Sequence, residues 1–278
     1  MKPILVATDF SDAAKGAAEF GAQLAQLSGA ELILFHCWSM PIMTSDGAIV
    51  PVVLDDFEQA QQKAVNAESE RIKEKYKVAV RGIQQVGFAA EEIANAAKQH
   101  NAGLVLMGMK PVGAVDKIFG GVSTAVMSMS AFPVLIVPEG VSFVRPKVFL
   151  FATDLKTSNN WYELDVLKEL AGFFHAGIHI LNVHEEASVP SAEESKAGIL
   201  LDNRLKELPH TWHFPNDGDI IHGIEKATSD TEADWVCVVP HRTSWIRNIF
   251  HKSISKAVAF DTHKPLLVLP EKHVHLEA

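Results

Sequence analysis

The sequence predicts an α/β protein made of two tandem open parallel-sheet domains related by a pseudo-twofold axis. Three observations carry this. Continuous apolar runs rich in β-branched residues alternate with segments of helical periodicity, the pattern of a parallel sheet covered on both faces. The chain also repeats itself: "ILVATDFS" at 4–11 returns as "FLFATDLK" at 149–156, "AGLVLM" at 102–107 as "ADWVCV" at 233–238, and "FPVLIVPEG" at 132–140 as "KPLLVLPEK" at 264–272. Finally, 278 residues suit two domains of ordinary size. The boundary falls in "VSFVRPK", giving domains 1–142 and 143–278.

The elements follow in order. "PILVAT" reads as a strand buried on both faces. Ser11 caps a helix whose stripe is Ala13, Ala17, Phe20, Leu24 and Leu27, with Gly29 as its stop. "ELILFHC" is the second strand, and a long helix from Leu54 to Tyr76 leads into the strand "VAVRGIQQ". The helix "AAEEIANAAKQH" precedes the strand "GLVLMGM", a Gly-rich loop, a helix through "STAVMSMS" and the strand "PVLIVP". The second copy keeps this order, with Trp161, Leu164, Leu167, Ala171 and Phe174 as its first helix stripe and Gly177 as the stop. That copy is shorter, and its deficit falls between Cys37 and Val86, where the first copy has the long connection 38–53.

Composition narrows the function classes. A formal charge of −9 with no long Lys/Arg run argues against nucleic acid and anionic membranes as partners. No apolar run reaches the about 20 residues of a membrane span, and "MKPILVATDF" goes straight into a strand rather than a signal peptide. The two cysteines, Cys37 and Cys237, lie in strand-like runs, the usage of a reducing compartment. A cytoplasmic protein is expected. "HAGIHILNVHEE" gathers His175, His179, His184, Glu185 and Glu186, but a helix end and two ends of a strand separate them, so no metal site is expected. No hydrolase motif is present, and no catalytic residue is assigned.

Ligands of open parallel sheets bind at the carboxyl ends of the strands. Asp9, Cys37 and the stretch "GMKPVGAVDKIFGGVS" (108–123) all fall at one such edge. With "ATDFS", "LFHC", "LVLMG…GGVST" and "PVLIVPE" in this order, the chain resembles the universal stress proteins in their tandem form, over essentially its whole length. The resemblance implies a Rossmann-like fold, akin to the adenine-nucleotide alpha hydrolases, and a stress-response binding or regulatory role. It also implies weak binding of ATP or AMP by the N-terminal domain, with Mg²⁺ only alongside the nucleotide. The implied site is Ala7, Asp9, Cys37, Gly108, Gly120, Gly121, Val122 and Ser123. In nucleotide-binding members the pattern G-x2-G-x9-G-[ST] holds the phosphates on backbone N–H groups. Here Pro111, which has no N–H, replaces the second glycine, and Gly120-Gly121 stand where Gly-Ser or Gly-Thr is expected.

Other roles stay open at two of these positions. Asp9 caps the turn into the first helix or meets adenine; Ser123 caps its helix or meets phosphate. In the second copy Asp154 and Val183 keep the adenine positions, while Val239, Arg242 and Lys252-Ser253 replace the cradle, so this site is degenerate. Either His241, Arg242, Arg247, His251 and Lys252 hold an anion there, or the stretch is a solvated loop whose Trp245, Ile249 and Phe250 fill the space or pack on a neighbour. The last strands, 133–137 and 265–269, are expected to pair within the chain as a pseudo-dimer. Two alternatives to the binding role are a slow Mg-ATP hydrolase at the N-terminal site and an interaction scaffold without nucleotide.

Overall fold

A computed structural model of the chain describes residues 1–40, 43–45, 48–50, 54–110, 121–129, 131–155, 161–184, 191–240 and 263–270. The N-terminal half runs β1 (Ile4–Ala7), α1 (Asp12–Ser28), β2 (Leu32–Trp38), a hairpin of β3 (Met43–Ser45) and β4 (Ala48–Val50), then α2 (Leu54–Tyr76) and β5 (Val80–Val86). It closes with α3 (Ala89–Gln99), β6 (Leu104–Met109), α4 (Gly121–Met129) and β7 (Val134–Pro138). The C-terminal half begins with β8 (Val148–Ala152), a 3₁₀ turn at Tyr162–Leu164, α5 (Asp165–Phe174), β9 (Gly177–Leu181) and α6 (Ala192–Leu205). β10 (His210–His213), α7 (Ile220–Asp230), β11 (Trp235–Val238) and β12 (Leu266–Val268) follow.

All strands but the hairpin join one sheet, in the order β10-β9-β8-β11-β12-β7-β6-β1-β2-β5. Neighbours are parallel except at the centre, where β12 and β7 pair antiparallel: Leu266 with Ile136, Leu267 with Leu135, and Val268 with Val134. Segments 133–137 and 265–269 therefore meet, and Leu135 faces its own sequence counterpart Leu267. The reversal at this seam sends the strands of the two halves in opposite directions, so their carboxyl ends lie on opposite edges of the sheet.

Helices cover both faces. Residues of α1, α2, α5 and α6 pack on one side with Ile4, Val6, Phe149 and Phe151. Residues of α3, α4 and α7 pack on the other with Leu5, Val105, Leu150 and Val236. The halves also share an aromatic cluster, in which Phe20 of α1 lies 5.0 Å from Phe143 and 5.8 Å from Trp235 between ring centroids. Phe174 joins the same cluster, 6.3 Å from Phe143 and from Trp235. Such contacts add to the burial of the rings themselves.

Local rules explain most helix ends. The Ser11 hydroxyl accepts the Ala14 N–H, and Gly29 ends α1 in the left-handed region at φ 68°. Leu27, expected in the buried stripe, is instead 49% exposed. It lies in the last turn of α1. The stripe Trp161, Leu164, Leu167, Ala171 and Phe174 is buried throughout. Its stop is not Gly177, which already opens β9; His175 takes the left-handed cap at φ 56° and its N–H returns to Ala171 and Gly172 carbonyls. Between α1 and α2, Glu19 receives Arg71, Lys75 and the Tyr76 hydroxyl at 2.8, 2.9 and 3.0 Å. Partial burial works against its charge, but these three partners outweigh it and hold the carboxyl at about 2.

Candidate functional site

Parallel register fixes what meets at the carboxyl ends. Ala7 lies opposite Phe35 of β2 and Met107 of β6, so Thr8-Asp9, His36-Cys37 and Gly108 emerge side by side. The chain turns sharply after β1. The Thr8 N–H donates to Phe35 O at 2.9 Å and the Thr8 Oγ1 accepts the Phe10 N–H at 3.0 Å. Phe10 sits at φ 63°, a left-handed conformation that costs a side-chain-bearing residue about 1–2 kcal/mol. Asp9 is exposed, and its Oδ1 accepts the Ser11 N–H at 3.0 Å. That bond fulfils the turn-capping role.

His36 supports this turn from below. Its Nδ1 lies 2.8 Å from Thr8 O, its Nε2 3.0 Å from Gln61 Oε1 of α2, and the Phe10 ring stands 4.4 Å from its own. Thr8, Phe10, His36 and Gln61 were not singled out from sequence. One signal was available: a polar residue inside the otherwise apolar run "LILFHC" must find partners when buried. Cys37 is half-buried near the end of β2, with its thiol 3.5 Å from Gly87 O. Burial, with the Glu92 carboxylate nearby, pushes the thiol up to about 11, which keeps it protonated at neutral pH.

Gly108 has a steric role of its own. A Cβ there would meet Ala13 O at 2.2 Å and Ala14 N at 2.7 Å, so only glycine lets the first turn of α1 lie on β6. The loop that follows, 111–120, lies outside the described residues and takes Pro111 and Gly120 with it. Beyond it α4 opens at Gly121, so Ser123 lies inside the first turn rather than at the cap. The N–H groups of Gly121, Val122 and Ser123 are first-turn donors without intrahelical acceptors. A crossover from the carboxyl end of β6 to parallel β7 starts this helix on the Asp9 side of the sheet.

The C-terminal half repeats the turn. Thr153 N–H donates to Leu181 O at 2.9 Å, Thr153 Oγ1 accepts Leu155 N–H at 3.1 Å, Leu155 sits at φ 55°, and Asn182 Nδ2 donates to Thr153 O at 2.9 Å. Here, however, Asp154 is only 5% exposed, and Val183 and Val239 are buried as well. Arg242, Lys252, Ser253 and the residues proposed to hold an anion or fill the space, His241 to His251, lie outside the described residues. Of the histidine-rich run, His175 caps α5, His184 bridges Asn216, and His179 meets a residue from another strand, His213. Among the described residues no group of three or more His, Cys, Asp or Glu side chains is placed to hold a metal, and no helix is long and apolar enough to cross a membrane.

This order of elements is shared by known proteins. The profile of the Universal stress protein family matches residues 1–138. Universal stress protein YxiE of Bacillus subtilis is 32% identical over 143 residues, which are 48% of this chain and 97% of YxiE. The chain belongs to the universal stress protein family. Its fold is similar over 97% of its length to a universal stress protein of Archaeoglobus fulgidus, at a TM-score of 0.72 and 17% identity, covering 98% of that protein. A putative universal stress protein of Pseudomonas aeruginosa is similar over 97% of the chain and 93% of its own, at a TM-score of 0.59 and 15% identity.

Proposed function

We propose that this universal stress protein is a stress-response binding and regulatory protein of two domains, 1–142 and 143–278, that takes an adenine nucleotide weakly in the N-terminal domain alone. One contrast carries the reading: at equivalent turns Asp9 is exposed and Asp154 is buried. A base at the edge of β1 and β2 meets the Asp9 carboxylate and the Cys37 backbone. The phosphates of ATP or AMP, with Mg²⁺ in the case of ATP, meet the first-turn amides Gly121 to Ser123. Calorimetry on the full chain with Mg-ATP and with AMP tests this. Saturable binding of a single equivalent is expected, weakened at least about tenfold in Asp9→Ala and unchanged in Asp12→Ala, an exposed first-turn carboxylate. No heat at millimolar nucleotide overturns it.

A second reading, an interaction scaffold without nucleotide, draws on Gly108. Its glycine is fully accounted for by the approach of Ala13, so it is not by itself the mark of a phosphate cradle. On this reading the calorimetric titration is flat and Asp9→Ala changes only the turn.

A further inference from the structure

The edge of the C-terminal half holds a pair of imidazoles unrelated to the nucleotide reading. His179 of β9 and His213 of the edge strand β10 come from neighbouring parallel strands, with Thr211 opposite His179 and His213 opposite Leu181. Residues in those register positions share one face of the sheet, so the two histidines are diagonal neighbours on it. Their rings stack at 4.9 Å between centroids and 18° between planes, and His179 Nδ1 stands 2.7 Å from His213 Nε2. Two imidazole nitrogens facing one another share a single proton. One ring donates and the other accepts, so at least one of the two nitrogens presents a bare lone pair. Both side chains are half-buried, shielded but within reach of solvent.

We propose that His179 and His213 form a cross-strand chelate for a divalent transition ion of the Zn²⁺, Ni²⁺ or Cu²⁺ type, the ion standing between Nδ1 of His179 and Nε2 of His213. Neutral imidazole suits these ions, and two bonds of about 2.0–2.1 Å at a tetrahedral angle set the nitrogens about 3.3 Å apart, so the rings part from their present 2.7 Å and turn their lone pairs toward the ion. When both rings are neutral, the donor ring moves its proton to its other nitrogen through solvent, and no net proton is released. Water fills the remaining coordination positions. The ion ties β10 to β9 at a sheet edge otherwise held on one side only, and so couples metal binding to the stability of that edge. Ligand spacing along the chain gives no hint of this pair, because the second ligand comes from a different strand.

The test uses the full chain, stripped with chelator and titrated with NiCl₂ or ZnCl₂ by calorimetry. Since the chain has 13 histidines, the reading is differential. His179→Gln and His213→Gln are each expected to lose the same single equivalent, or to bind it at least about tenfold more weakly. His222→Gln, on a different element, keeps it. Equal stoichiometry and affinity in wild type and both variants overturns the proposal. Should the variants fold poorly, the imidazole ¹⁵N resonances of the wild-type protein decide. On addition of Zn²⁺, Nδ1 of His179 and Nε2 of His213 shift together if the chelate exists; a response confined to other histidines refutes it.

Discussion

The turns after β1 and β8 are near copies in backbone and opposites in exposure. Each has a threonine hydroxyl accepting an N–H two residues on, a side-chain-bearing residue in the left-handed region, and a carbonyl tied to a polar side chain from the next strand. His36 makes that tie in one half and Asn182 in the other. The hydrogen-bonded turn is thus a device of the fold, kept where the aspartate is buried as well as where it is open. The strand ends beside the two turns also differ. Gly108 admits the first turn of α1 directly onto β6, and α1 begins at Asp12. Val239, at the matching place in the second half, is buried. The two halves teach that the "ATD" motif reports the turn, while the exposure of its aspartate is decided outside the motif.

The sharpest way to break this comparison is to give the N-terminal half the C-terminal residue. Gly108→Val places carbon atoms where Ala13 backbone lies, and is expected to cost about 3 kcal/mol or more, with the start of α1 displaced. A denaturant midpoint within error of wild type would refute the steric account. Next, glycine at the strained positions separates strain from packing. Leu155→Gly removes a buried side chain and is expected to lose about 2 kcal/mol net of the relieved backbone. Phe10→Gly, with a half-buried ring, should lose less than about 1 kcal/mol; thermal melts of both variants check the order. His36→Asn imports the tie of the other half. It keeps the bond to Thr8 O but gives up Gln61, so about 1 kcal/mol is expected to be lost, with the nucleotide titration otherwise preserved.

A further effect concerns acid. The Glu19 carboxyl, ordinarily near 4.5, is held at about 2 by Arg71, Lys75 and Tyr76. Its contribution is therefore full above about pH 4.5 and is lost as pH falls from there toward 2. The pair is partly exposed, so the screened effect is about 1 kcal/mol. Urea midpoints of wild type and Glu19→Gln should converge as pH drops through that window, and a constant gap would contradict the assignment.

Much of the fold was legible because it rests on local chemistry. Ser11 and Gly29 bound α1, Leu54 and Tyr76 bound α2, and the apolar repeats mark the strands. Exceptions arise where tertiary contacts decide. Leu27 fits the helical period, yet it stays exposed in the last turn of α1. Gly177 looks like a stop, yet His175 adopts the cap and frees the glycine for the strand. Ser123 reads as a cap until the helix is seen to begin two residues earlier. At the candidate site, Asp9 and Cys37 could be placed from the strand-end rule, whereas His36 acquires its meaning only from Thr8 and Gln61, distant in sequence. His179 and His213 meet through strand order alone.

The antiparallel seam has one more consequence. In an assembly of two identical chains, any substitution at a self-paired strand appears twice and must suit both sides at once. Here Leu135 and Leu267 face each other as different positions of one chain. A change on either side can be answered independently on the other, and each pole of the sheet is free to drift toward its own chemistry. The open aspartate at one pole and the enclosed one at the other are the kind of asymmetry that such freedom permits.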